Sequence, residues 1–368
     1  MKIKDIRTSI HSVPVEMPLI GKIDMYGRGE AQTLIFCEVE TDEGITGVSL
    51  VAHQMSKAVE SALTSRIFPM VKDMDPRDLE AIQHKIWMRA NLRATTGVTT
   101  CAISALDIAL WDIAGKKEGR TVAELMGGHK KTLPAYVTFG LASYDQDQLV
   151  EAAKLQLANG FTGFKMVVAE RPGGWREDAK RVRAVRDAIG DDCDLMIDAN
   201  MHFSPTEARY LCRAVADCNL TWFEEPLWQN DARALADLRR LCGIPLVAGQ
   251  NEGHRWRLRE LVVNESVDML QPSVLHCGGY TEARKVAFFC QTYNMRLAAG
   301  GGWPHFNMHL MAGVMNGWNV EWHLGSGGAT LGLFPDAPRP KDGMITIADL
   351  PGLGLEPDRD RLKDTLVK

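Results

Sequence analysis

Asp194-Leu195-Met196-Ile197-Asp198-Ala199-Asn200 is a short apolar run that ends on an acid, and its reading decides the fold because the pattern returns twice. Trp222-Phe223-Glu224-Glu225-Pro226 and Ala248-Gly249-Gln250-Asn251-Glu252 close in the same way, and the steps from Asp198 to Glu224 and from Glu224 to Gln250 are both 26 residues. That is the length of one strand-plus-helix unit, so the three polar side chains are expected at equivalent heights on adjacent parallel strands of a closed barrel, at its C-terminal face.

Outward from this ladder, apolar runs at 133–139, 161–168, 194–198, 220–224, 245–248, 267–270, 295–298 and 318–322 alternate with helical or loop stretches of similar length. Eight such runs suit a closed parallel (β/α)₈ barrel better than an open sheet. Before residue 128 the pattern differs. Residues 1–20 and 31–51 alternate with period two, with a hairpin turn at Thr41-Asp42-Glu43-Gly44, and 56–125 turns helical. Its clearest part is Ala102-x-x-Ala105-Leu106-x-x-Ala109-Leu110-Trp111-x-x-Ala114, apolar along one face. The expected organisation is an α+β capping domain over 1–127, the barrel over 128–330, and a Pro/Gly-rich segment, 331–368, returning to the cap.

The 368 residues leave room for this, and a 45% hydrophobic fraction is ordinary for a globular chain. The apolar stretch 100–115 is interrupted by Asp107 and Asp112, so no membrane span is expected. The opening Met1-Lys2-Ile3-Lys4-Asp5-Ile6-Arg7 alternates charge with aliphatic residues and lacks a secretory core, which points to the cytoplasm. Eight cysteines without a C-x-x-C pair argue for reduced thiols. A net charge of −5, its 47 acids and 42 bases mixed along the chain, disfavours a nucleic-acid partner.

Hard oxygen ligands gathered at strand ends suit Mg²⁺, which takes one or two carboxylates and leaves positions for substrate and water. Taken singly, each acid reads equally well as a cap on the helix that follows its strand. Capping alone has no reason to recur at equal spacing. The adjacent Glu224-Glu225 pair weighs further against it, since two buried neighbouring carboxylates repel unless a cation offsets them.

With these stretches in view the sequence resembles the enolase superfamily, in its mandelate racemase subgroup, over nearly the whole chain. The resemblance is carried by residues 105–116, by Asp198-Ala199-Asn200 and Trp222-Phe223-Glu224-Glu225-Pro226, by Gln271-Pro272 leading to Gly278-Gly279, and by Pro351-Gly352-Leu353-Gly354. It implies a capped barrel in which Mg²⁺ stabilises the enediolate left by removing a proton α to a carboxylate, with Asp198, Glu224 and Gln250 as ligands. It also implies Glu321 as a hydrogen-bonding electrophile.

Three departures from the family pattern stand out. Gln250 replaces an acid, so the ion is held more weakly unless Glu225 or Glu252 contributes. The second barrel strand keeps Lys165 but has Val167 where a second lysine is usual, which leaves Lys165 to neutralise the substrate carboxylate or take a proton. Ser273 and Gly301 stand where relatives pair an Asp with a His. His202 and His305 remain as acid or base candidates, a packed or solvated ring being the alternative for each. His305 and His309 have zinc-like spacing, but no Glu follows the first His, so the protease motif is absent.

For substrate contacts the candidates are Asn200, Glu252 and Trp303 on barrel loops, and Tyr26, Arg28, His53 and Gln54 on the cap. The leading expectation is a lyase that dehydrates a sugar acid. Alternatives are a cycloisomerase, a racemase or epimerase disfavoured by the missing dyad, and an inert acid-binding relative. The partner expected is a small carboxylate, with no membrane, and a homo-oligomer follows the habit of the family.

Overall fold

A computed structural model describes residues 1–22, 31–89 and 96–367. Near the N-terminus, β1 (Ile3–Pro14), β2 (Ala31–Thr41) and β3 (Thr46–Ala52) form an antiparallel sheet in that order. The β2–β3 turn lies at residues 41–44, where Gly44 takes φ 80° at no steric cost. Helix α1 (Val98–Glu118) packs on this sheet. It comes so close that a Cβ at Gly47 would lie 2.1 Å from the Ala109 carbonyl oxygen.

By length and composition alone α1 is apolar enough to cross a membrane. In the fold it is an interior helix, buried from Thr100 to Gly115, and the acids that interrupt it are fasteners. Asp107 accepts from the Thr281 amide at 3.0 Å and from Gln83 at 2.9 Å. Asp112 accepts from the Val48 and Leu353 amides at 2.9 and 2.8 Å and pairs with Lys116 at 2.7 Å, joining sheet, helix and C-terminal segment. Asp112→Ala strands both amides, so it is expected to cost about 3 kcal/mol. Chemical denaturation checks this; an unchanged midpoint and slope would refute it.

The barrel comprises β4 (Thr132–Gly140), β5 (Gly163–Val167), β6 (Asp194–Asp198), β7 (Leu220–Glu224), β8 (Leu246–Ala248), β9 (Met269–Leu270) and β10 (Val320–His323). All pair in parallel, in the order β9-β8-β7-β6-β5-β4-β10. The strand expected at 295–298 contracts to Leu297, which bridges Leu270 on one side and Gly317 on the other and closes the ring. Around it run α2 (Gln146–Ala158), α3 (Gly174–Ile189), α4 (Pro205–Ala214), α5 (Ala232–Cys242), α6 (His254–Val263), α7 (Gly279–Thr292), α8 (Pro304–Gly313) and α9 (Leu324–Leu333).

Tyr136, Met196, Trp222, Val247 and Ala298 fill the barrel interior as a separate apolar cluster, with Tyr136 and Trp222 edge to face at 5.2 Å. This plug is the floor of the site above it. After the barrel, the chain pairs Met344 with Pro134 outside β4, and α10 (Arg359–Thr365) ends beside β1 with a bridge from Leu366 to His11.

Candidate active site

Strand register sets the site. Asp198 pairs with Glu224 across β6 and β7, and with Val167 across β5, so their side chains leave the sheet at one level. Neither acid caps a helix: α4 is capped by Ser204 and α5 by Asp231, while α6 follows Gly253 with no side-chain cap. The capping alternative for the ladder therefore falls. The residues after these strands, Asn200 at φ 44° and Glu225 at φ 39°, adopt the left-handed region, where a non-glycine residue is held by its surroundings.

Lys165 is the hub. Its ammonium lies 3.0 Å from Asp198, 2.8 Å from Glu224 and 2.9 Å from Glu321, and only 1% of the residue is exposed. Burial alone would lower its pKa, but Glu224, Glu321 and Asp198 outweigh it and hold the ammonium well above the usual range. Lys165 also lies outside the cavity wall, behind the carboxylates. In this arrangement Lys165 stands as a positive charge paired to three carboxylates.

Glu224 is fully buried, and its second oxygen accepts from Trp222 at 3.1 Å and Gln271 at 3.0 Å. Burial, then repulsion from Asp198, pushes its pKa well up against the pull of Lys165. Glu321 accepts from Thr138 and the Gly302 amide, both at 2.6 Å. Burial would raise its carboxyl; Lys165 and these hydrogen bonds hold it below the usual range instead.

Three buried carboxylates, Asp198, Glu224 and Glu321, thus face one ammonium, and Glu225 is buried next to Glu224 in the chain. Glu225 has settled partners, accepting from Asn230 at 2.9 Å and Asn251 at 2.5 Å. The excess negative charge at Asp198 and Glu224 is what a divalent cation would offset, and their oxygens are the hard donors Mg²⁺ takes. Gln250 donates its amide N–H to both Asp198 and Glu225 at 3.3 Å, and turning this amide over would present its oxygen at the third place. Among the described residues no three His, Cys, Asp or Glu side chains form a ready ligand cluster, as this amide requires. The donor set fits the ion as two carboxylates and an amide oxygen.

Above this group opens a cavity of about 840 Å³. Of the sequence candidates, Asp198, Gln250, Asn200, His202, Trp303, Glu321, His53 and Gln54 line it. Tyr26 and Arg28 lie outside the described residues. Two expectations are corrected. His305 is wholly buried on α8, its Nε2 on the Pro338 carbonyl at 2.8 Å, and burial drives its pKa down to about 4, so it does not reach the cavity. Glu252 turns away to Arg257 at 3.0 Å and Asn230 at 3.2 Å and is not part of the cavity wall.

His202 donates from Nδ1 to the Ala199 carbonyl at 2.9 Å, because a carbonyl can only accept, and this leaves the lone pair of the neutral ring on Nε2, which has no hydrogen-bond partner among the described residues. Glu170, also on the wall, has its carboxyl raised by burial, with His202 pulling the other way. Sequence reasoning missed Glu170, His276 and His323. For His323 the signal was present: it stands two residues after Glu321 on one strand, so both side chains leave the same face.

Two family models match the chain: the mandelate racemase / muconate lactonizing enzyme N-terminal domain over residues 6–127, and the enolase C-terminal domain-like family over 148–361. The chain belongs to the enolase superfamily, in its mandelate racemase subgroup. Members of this subgroup similar to the chain include an arabinonate dehydratase from Saccharolobus solfataricus, 28% identical over 87% of each chain. A 3,6-anhydro-alpha-L-galactonate cycloisomerase from Streptomyces coelicolor is 30% identical over 98% of each. Among solved structures, L-talarate dehydratase from Polaromonas sp. JS666, complexed with Mg and L-glucarate, superposes with a TM-score of 0.88 at 27% identity, covering 100% of this chain and 98% of that one. Membership makes the chain an enzyme whose reaction begins by removing the proton α to a carboxylate.

Proposed function

We propose that the enzyme dehydrates a polyhydroxy acid, with His202 moving the proton. The observation that carries this reading is the Nε2 lone pair of His202, without a partner among the described residues, on the wall of the cavity that Asp198 and Gln250 also line, whereas Lys165 is paired to three carboxylates. Asp198, Glu224 and Gln250 would hold Mg²⁺, which when bound supplies positive charge against the substrate carboxylate.

The side chains do the rest. Lys165 and Glu321 fix the polarity of the pocket floor, and Asn200 and Trp303 border the substrate. His202 Nε2 takes the α-proton, and the C–H electron pair enters the carboxylate as an enediolate. The pair returns to form the Cα=Cβ bond as the β-hydroxyl leaves, taking the proton from His202 to depart as water. The enol then tautomerises to a 2-keto-3-deoxy acid. Gly301 and Ser273 stand where a second base would be needed, which speaks against a racemase.

The reading is supported by dehydratases among the relatives, one of them holding L-glucarate. It is tested by incubating the Mg²⁺-loaded protein with a panel of sugar acids. A keto-deoxy acid reactive with semicarbazide is expected, and chelation is expected to abolish it. An internal ring closure or opening without loss of water would favour a cycloisomerase, the activity of the 30% identical relative. No product together with no Mg²⁺ binding by calorimetry would make the chain an inert acid-binding member.

A further inference from the structure

His323 ends β10 with one side of its ring committed. Its Nδ1 accepts from the Gly325 amide at 3.0 Å and the Ser326 amide at 3.4 Å, the first turn of α9. An amide can only donate, so Nδ1 carries a lone pair and the neutral ring must carry its proton on Nε2. The ring also lines the cavity, on the same face of β10 as Glu321. His202 is fixed in the opposite sense by the Ala199 carbonyl. Of the four histidines that line the cavity, His53, His202, His276 and His323, the pair His202 and His323 therefore have opposite polarity, one offering a lone pair and the other an N–H.

We propose that His323 is a permanently neutral Nε2–H donor to an oxygen of the bound acid, so that the proton is abstracted from the His202 side alone. This rests on the dehydration reading and assigns its second histidine. Protonating His323 would break both amide bonds and set an imidazolium against the positive N-terminus of α9. Burial opposes its charge as well, with Lys165 on the same side of the balance and Glu321 and Asp198 on the other. A neutral imidazole held at a helix N-terminus suits hydrogen-bonding an oxyanion, because it gives a hydrogen bond without yielding its proton.

The consequence is directional. With His323 unable to accept a proton, the two histidines do not exchange roles, and an inversion at the α-carbon that uses this pair as its two bases is closed off.

The test uses the full-length protein with ¹⁵N-labelled histidine, the His323 signal being identified by its loss in His323→Asn. Expected is the Nε2–H tautomer for His323 and the Nδ1–H tautomer for His202, with His323 uncharged from about pH 8 down to about pH 6. Titrating in L-glucarate, with binding followed by calorimetry, is expected to shift the His323 Nε2–H signal. His323→Asn keeps an acceptor for the α9 amides but loses the Nε2 donor. It is expected to melt with the wild type while kcat falls roughly 10- to 100-fold. An Nδ1–H tautomer, an Nε2–H signal indifferent to bound acid, or an unchanged kcat in His323→Asn would overturn the proposal. Failure of the dehydration reading shows separately, as absence of keto-deoxy product while the tautomers and the acid-induced shift persist.

Discussion

Lys165→Met is expected to destabilise the protein by roughly 3–5 kcal/mol in the presence of a chelator, the cost of removing one partner from a buried set of charges. The wild-type ammonium is shared by Asp198, Glu224 and Glu321 within 3.0 Å, and all four groups are almost wholly buried. Methionine fills the volume but leaves three carboxylates facing one another. Because Asp198 and Glu224 are the proposed ion ligands, saturating Mg²⁺ is expected to restore part of the loss, as any ligand that binds only the native state does. Turnover in the Mg²⁺-loaded variant is expected to fall roughly 1000-fold, since the fixed charge beside Glu321 is gone. Denaturation with chelator and with Mg²⁺, followed by kinetics, checks all three. A variant as stable as wild type in chelator would show that Lys165 does not hold the carboxylates together.

The same residues show how far the sequence could be read. The ladder was legible because a barrel repeats its unit, and equal spacing became equal height: Asp198 and Glu224 are register partners. The hairpin was legible from Gly44 and the alternation around it. The strand expected at 295–298 was not, because hydrophobicity says only that a segment is buried; here the ring is closed by Leu297 alone before three glycines redirect the chain. Asp107 and Asp112 read as interruptions of an apolar helix, and they are, but what they bond lies up to 241 residues away.

Side-chain direction was the larger gap. His305 and Glu252 sit in the right segments, yet α8 turns one ring inward to the Pro338 carbonyl and Arg257 draws the other side chain aside. Lys165 was placed at the site from its strand, but its charge state depends on three carboxylates from three other strands, which no local pattern contains. His323 could have been found by applying to β10 the period-two rule that served elsewhere. The tautomers of both cavity histidines needed the backbone, because the Ala199 carbonyl and the α9 amides decide them.

His202→Gln is expected to reduce kcat roughly 1000-fold, within the range for losing a positioned general base, while leaving Mg²⁺ affinity and melting temperature near wild type. The side chain projects from a loop, and among the described residues its ring hydrogen-bonds the Ala199 carbonyl and none of the three proposed ion ligands. Glutamine keeps a polar group at the site but has no atom basic enough to take the proton. An acid lacking the β-hydroxyl separates the steps, since it can lose its α-proton but cannot eliminate. In D₂O the wild type is expected to exchange that proton for deuterium with retention, because one base works from one face, and His202→Gln is expected to stop the exchange. Glu170→Gln, which alters the other titratable group beside His202, is expected to slow exchange without stopping it. If His202→Gln exchanged at the wild-type rate while Glu170→Gln did not, the base would be Glu170 and the ring would serve only to orient it.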